Sequence, residues 1–263
     1  MNRFLPFLVL AGASLPALVG AQSPAFDPSR SNAKSVAIAD QVMQALGGPD
    51  AWNQTRFLRF DFGVEAEGKA RPPRSHWWDK ETGRYRLEGK TPEGDPYVVL
   101  MNLNTREGSA WLKGTKLEGE EAKKYLERAY GAWTNDTYWL LVPYKLKDGG
   151  VQLGYDGEEK KGEDAWDKVV LTFDNVGLTP KDKYWLFVNR KTHLIDRWDY
   201  VLKGESVPPT TFEWKGWKRH GKIMLSDERV DPAKGTKILF PVLAAPATMP
   251  DAVFTSNAPV PAG

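Results

Sequence analysis

From Arg56 onward, apolar side chains return at every second residue in run after run, and turn chemistry ends each run. Few folds are compatible with that rhythm. In residues 56–65, Leu58, Phe60, Phe62 and Val64 alternate with Arg59, Asp61 and Glu65, which gives one apolar face and one wet face. Strands of the same kind are predicted over 74–79, 84–88, 97–103, 109–112, 151–155, 168–173, 184–188, 194–202, 210–217 and 222–230, with a short last one at 238–240. Lys80-Glu81-Thr82-Gly83, 104–108, 189–192 and 218–221 supply the turns, and Pro180 presets φ in another at 178–182. About eleven strands in sequential hairpins make one twisted antiparallel sheet, and a sheet that long must curl, close or split.

Two segments interrupt the β pattern. In residues 33–46, Val36, Ala39, Val42, Met43 and Leu46 form one helical stripe, which Gly47-Gly48 stops. Residues 118–133 bring Ala122, Tyr125, Leu126, Ala129, Tyr130 and Trp133 to one side of a helix. Asn135 or Asp136 is then placed to cap a second, short helix ended by Pro143. The expected fold class is α+β, mainly β: a single curved antiparallel sheet, a half-barrel, covered by helices. With no repeat and no second linker, 33–254 reads as one domain, between a polar linker at 22–32 and a loose tail at 255–263.

The first residues carry an export signal. Arg3 precedes an uncharged run over 4–18, and Val19-Gly20-Ala21 offers a small-residue cleavage site before Gln22. A membrane span needs roughly 20 apolar residues; this run is shorter and is broken by Pro6 and Pro16. Residues 1–21 are therefore expected to be a cleaved signal peptide, with a periplasmic or secreted location and no transmembrane segment after cleavage. The chain has no cysteine, so disulfides, thiol catalysis, thiolate metal sites and a lipidated N-terminal cysteine are excluded. Its 36 basic and 34 acidic side chains are interspersed, which is not a nucleic-acid footprint.

Catalytic signals are weak. His76, His193 and His220 show no metal-ligand spacing, and G-x-S-x-G, Walker and G-x-G-x-x-G motifs do not occur. The adjacent pairs Glu120-Glu121 and Glu158-Glu159 point apart on any regular element. No catalytic residue, metal or cofactor is expected. The 11 Trp, 9 Tyr and 11 Phe either fill a β core or line a ligand cavity. Residues 133–146 are the most distinctive stretch, with four aromatics and several aliphatics around the polar island Asn135-Asp136. That island either caps a helix or meets a ligand's polar group.

The strand-turn-strand Trp78-Asp79-Lys80-Glu81-Thr82-Gly83-Arg84-Tyr85-Arg86-Leu87, with the order helix, meander, helix, meander over 33–242, resembles the LolA/LolB-like family. Residues 138–146 and 188–195 are similar to segments of secreted relatives. The resemblance implies a half-barrel closed by helices over an apolar cavity, in periplasmic carriers and acceptors of lipoproteins. Those carriers place a basic residue after the Trp-x-Lys of the turn, where this chain has Glu81, and no functional residue is carried over from them.

Two functions are therefore expected in competition. In the first, a lipid or acyl chain binds in the half-barrel, lined by Phe60, Phe62, Trp78, Tyr85, Met101, Trp111, Tyr184, Leu186, Trp198, Tyr200, Phe212 and Trp214. Asn135, Asp136, Tyr138 and Trp139 would lie on its lid. Burying a chain of about 16 carbons at about 0.8 kcal/mol per CH₂ releases roughly 13 kcal/mol before association costs, so an envelope partner would have to open such a carrier. In the second, the core is filled and the protein is a non-catalytic module that binds protein or polysaccharide. A solidly packed interior favours the second.

Overall fold

The computed structural model describes residues 25–174 and 181–260. The expected signal peptide, the start of the linker, most of the 178–182 turn and the last three residues of the tail lie outside the described residues.

Helix α1 (Ala33–Ala45) begins where the Asn32 side chain accepts from Lys34 N and Ser35 N, the expected use of Asn as an N-cap. It buries Ile38, Ala39 and Val42. The chain turns at Gly47, whose φ is +118° and where a Cβ would lie 2.7 Å from Lys222 O, so only glycine fits. Helix α2 (Gly48–Gln54) follows.

The first meander is β1 (Phe57–Ala66), β2 (Lys69–Ala70), β3 (Arg74–Asp79), β4 (Arg84–Lys90), β5 (Pro96–Asn102), β6 (Gly108–Leu112) and β7 (Thr115–Lys116). Helix α3 (Gly119–Leu141) then crosses to the far edge. There the second meander starts with β8 (Val151–Lys161) and β9 (Asp164–Phe173). It winds back through β10 (Lys183–Asn189), β11 (Ile195–Val201), β12 (Thr210–His220), β13 (Ile223–Val230) and β14 (Lys237–Leu239). Strand β15 (Leu243–Ala244) and helix α4 (Ala252–Thr255) complete the described elements.

Among the described residues the result is a single open, curved, 15-stranded antiparallel sheet, α+β and mainly β, with β7 and β8 at its edges. Hairpin succession does not announce its centre. β1 pairs with β3 on one side and β14 on the other, because α3 carries the chain across before the second meander returns. The strands beyond the expected eleven or so include the two-residue β2, β7 and β15, too short for a period to register.

Register assigns the faces. Leu58 pairs with Trp78, Phe60 with His76 and Phe62 with Arg74, and these point to the concave side under α3. Trp77, opposite Arg59, points to the convex side. There Phe57 and Trp77 pack against Val253 and Phe254. The buried Arg86 donates to Val253 O at 3.1 Å, Ser256 O at 2.5 Å and Ala258 O at 2.7 Å. Residues 256–260 are thus docked rather than loose, because a buried guanidinium needs their carbonyls. The linker is docked too: Asn32 N donates to Leu153 O at 2.7 Å, and Leu153 N to Ser31 Oγ at 3.0 Å.

Two further expectations change. Helix α3 runs unbroken through 134–136, so Asn135 and Asp136 cap nothing; Asp136 spends its acceptors across the sheet instead. The charged stretch 157–164 belongs to the β8–β9 hairpin, which overhangs the core and pairs its charges across strands, as in Arg197–Glu159 at 3.0 Å. No helix among the described residues is long and apolar enough to cross a membrane.

Candidate functional site: the concave face under helix α3

The half of α3 over β4–β6 packs Tyr125 and Ala129 on Leu87, Tyr97, Val99 and Ala110. Its C-terminal half lies over the other meander. Between the two halves a polar clasp ties the helix to the sheet. Arg74 Nε and Nη2 each donate to an Asp136 carboxylate oxygen at 2.8 Å. His76 Nε2 lies 3.0 Å from Asp136 Oδ2, His76 Nδ1 is 2.8 Å from the Tyr85 hydroxyl, and Asn135 Nδ2 donates to Asp136 Oδ1 at 2.8 Å.

The partners fix the proton positions. An ionised carboxylate only accepts, so His76 carries its proton on Nε2 and accepts from the Tyr85 O–H at Nδ1. Burial pushes the His76 imidazole below its usual range, more than Asp136 raises it, so the ring is neutral. Burial alone would raise Asp136, but the Arg74 charge and His76 hold it below the usual carboxylate range. Phe60 stacks flat on His76 at 4.3 Å, and the Arg74 guanidinium lies 5.0 Å over the Phe62 ring. The Tyr85–His76–Asp136 line resembles a catalytic relay in its chemistry. It is sealed: all three side chains are buried. It works as a fastening.

Beyond the clasp lies an aromatic floor. Trp198 meets Tyr184 at 5.3 Å, Tyr200 at 5.8 Å and Trp214 at 5.4 Å. Phe212 is in register with Trp198, and so is Leu186. From α3, Tyr138 descends on Tyr184 at 5.3 Å. Trp139 meets Trp198 edge-on at 4.7 Å and Phe212 at 5.0 Å. The lid therefore fills the floor with its own rings. Several donors there have no hydrogen-bond partner among the described residues: Tyr138 Oη, Trp198 Nε1, Trp214 Nε1, and Nε and Nη2 of Arg229. Buried donors are normally satisfied. Burial pushes the Tyr138 hydroxyl well up and that of Tyr200 to about 12, so both keep their protons.

Of the residues expected in the lining, Phe60, Phe62, Trp78, Tyr85 and Met101 share the concave face of the first meander. Trp78 meets Trp133 of α3 at 5.3 Å. Tyr184, Leu186, Trp198, Tyr200, Phe212 and Trp214 share the concave side of the second. Trp111 does not join them. It pairs with Val98 while Ala110 pairs with the inward Val99, so it points to the convex side, one register step away. Asn135 is exposed and only steadies Asp136.

Three residues escaped the sequence reading. Arg74 and His76 stand four and two positions before Trp78, so the two-residue period alone puts them on its face. Arg229 sits inside β13, opposite Trp214. A period count that assigns charges to the wet face passes over all three. An open cleft of about 500 Å³ also lies at the ends of β9–β11, walled in part by Phe173, Lys183, Trp185 and Val201.

No protein-family model and no curated protein matches the chain. Solved structures do. A DUF1329 family protein from Desulfovibrio piger matches with TM-score 0.50 and 14% identity over 84% of this chain and 96% of that one. A LolA superfamily protein from Nitrosomonas europaea matches with TM-score 0.49 and 13% identity over the same shares. At this identity the likeness to the Desulfovibrio piger protein shows a shared fold over most of the chain and nothing beyond it.

Proposed function

We propose that the protein is an exported, non-catalytic binder of an apolar ligand, a lipid or acyl chain, which takes its place on the aromatic floor when α3 lifts. The observation that carries this reading is the pairing of that floor with an ionic fastening. A helix meant only to seal a core would be held most firmly by apolar contacts, whereas a buried ion pair adds little net stability and much specificity. As α3 lifts, water reaches Arg74 and Asp136 and offsets the lost contact. In the closed state Tyr138 and Trp139 stand where the ligand would lie, so binding is displacement of the lid's rings and not the filling of a void. The unpartnered donors of Trp198 and Trp214 support a floor built for more than its own packing.

The filled interior favours a second reading, in which the core is permanent and the protein is a binding module for an envelope protein or polysaccharide. Trp139→Ala separates the two. Under the first it vacates part of the floor and strengthens uptake of added palmitate, measured by equilibrium binding to the purified protein. Under the second it lowers only the thermal midpoint.

A further inference from the structure

Arg229 is fully buried and no carboxylate lies within 4 Å of it among the described residues. Its Nη1 donates to Ser226 O at 2.8 Å and Ser226 Oγ at 2.9 Å. Its guanidinium plane lies 3.7 Å from the centre of the Trp214 ring and 5.0 Å from that of Phe240. The opposite edge, Nε and Nη2, has no hydrogen-bond partner among the described residues. Elsewhere in this molecule that same edge grips carboxylates: Arg74 takes both oxygens of Asp136 through Nε and Nη2, and Arg56 takes those of Asp79 at 3.0 and 2.9 Å. The edge is a two-pronged donor matched to a pair of oxygens on one centre.

A buried cation with no carboxylate in contact is costly, and the charge of Asp227 and the ring faces of Trp214 and Phe240 offset only part of that cost. The fork also lies beside the floor, since Trp214 touches both Arg229 and Trp198, and Trp198 carries Tyr138 and Trp139. We infer that Arg229 receives the anionic end group, a carboxylate or a phosphate, of a single-chain amphiphile whose apolar chain lies along the Trp198–Trp214 floor. This rests on the apolar-ligand reading above and names the ligand class. A neutral hydroxyl offers the fork a single uncharged oxygen in place of two charged ones, and a folded macromolecule cannot reach so deep.

The test is equilibrium binding of palmitate, hexadecyl phosphate and hexadecanol to the whole protein, its Arg229→Met variant and its Arg229→Lys variant. The unmodified protein should prefer at least one anionic amphiphile to hexadecanol by about tenfold to a hundredfold, and the tighter of the two anions identifies the end group. Arg229→Met should abolish that preference, weakening the anionic amphiphiles far more than hexadecanol. Arg229→Lys, which keeps the charge without the fork, should retain part of the preference, and it carries the test if the Met variant does not fold. Equal affinity for palmitate, hexadecyl phosphate and hexadecanol overturns this inference while leaving the apolar-ligand reading intact. An anion preference that survives Arg229→Met also overturns it. Failure of all three amphiphiles to bind overturns both.

Discussion

Asp136 accepts from Arg74 and Asn135, with His76 Nε2 3.0 Å away, while wholly out of water, and most of what the clasp does can be read from that one carboxylate. Asp136→Ala leaves the buried His76 ring and the partly exposed Arg74 guanidinium without their carboxylate, so a loss of about 1–3 kcal/mol of unfolding free energy is expected, measurable by urea denaturation. His76 adds a pH dependence. Its folded pKa lies below the unfolded value of 6.5. As pH falls through that value, the unfolded chain takes up a proton that the folded chain refuses. Stability is thus full above about pH 7 and declines as the pH drops below 6.5, by at most about 1.4 kcal/mol per pH unit. Asp136 and Asp79, both held low, add a further loss below about pH 4. Thermal midpoints between pH 7 and 5 should show the first slope, and His76→Gln should flatten it. Composition shows three histidines and no more. Only the alternation Arg74, His76, Trp78, together with the hairpin that brings Tyr85 opposite Trp78, makes the cluster legible, and the charged partner on α3 comes from too far along the chain for any local pattern.

At the scale of elements, α3 is the part with two jobs. Its apolar stripe Tyr125, Ala129 and Leu140 seals the sheet, and that stripe was readable as helical spacing. Its continuity was not: a polar pair in mid-helix looks like a cap until a partner across the sheet claims it. If α3 is a fastened lid, its amides should exchange with solvent faster than those of β3 and β4 through an opening short of global unfolding. Asp136→Ala should quicken exchange along α3 selectively. Uniform acceleration across the sheet would mean that the clasp supports the whole core and not the lid. Strand faces were legible wherever the period ran clean, as in β1 and β10, and failed at Trp111, where a single step of register decides the side.

Over the whole molecule, two meanders of one open sheet are joined by the helix that covers them, and each contributes a different surface to the concave side. The first gives the clasp, the second the aromatic floor with Arg229. Neither meander announces where the other will pair, since β1–β14 contacts span most of the chain, and so the central place of β1 emerges only in three dimensions. The export reading is tested at this scale by N-terminal sequencing of the secreted or periplasmic protein, which should begin at Gln22. The central claim, that an apolar chain replaces the lid's rings on the floor, is tested most directly by native mass spectrometry of the protein purified without detergent. The account predicts a population heavier by one acyl lipid, restored after extraction by incubation with palmitate or hexadecanol and increased in Trp139→Ala. A bare mass in every charge state, unchanged by either addition, would contradict it.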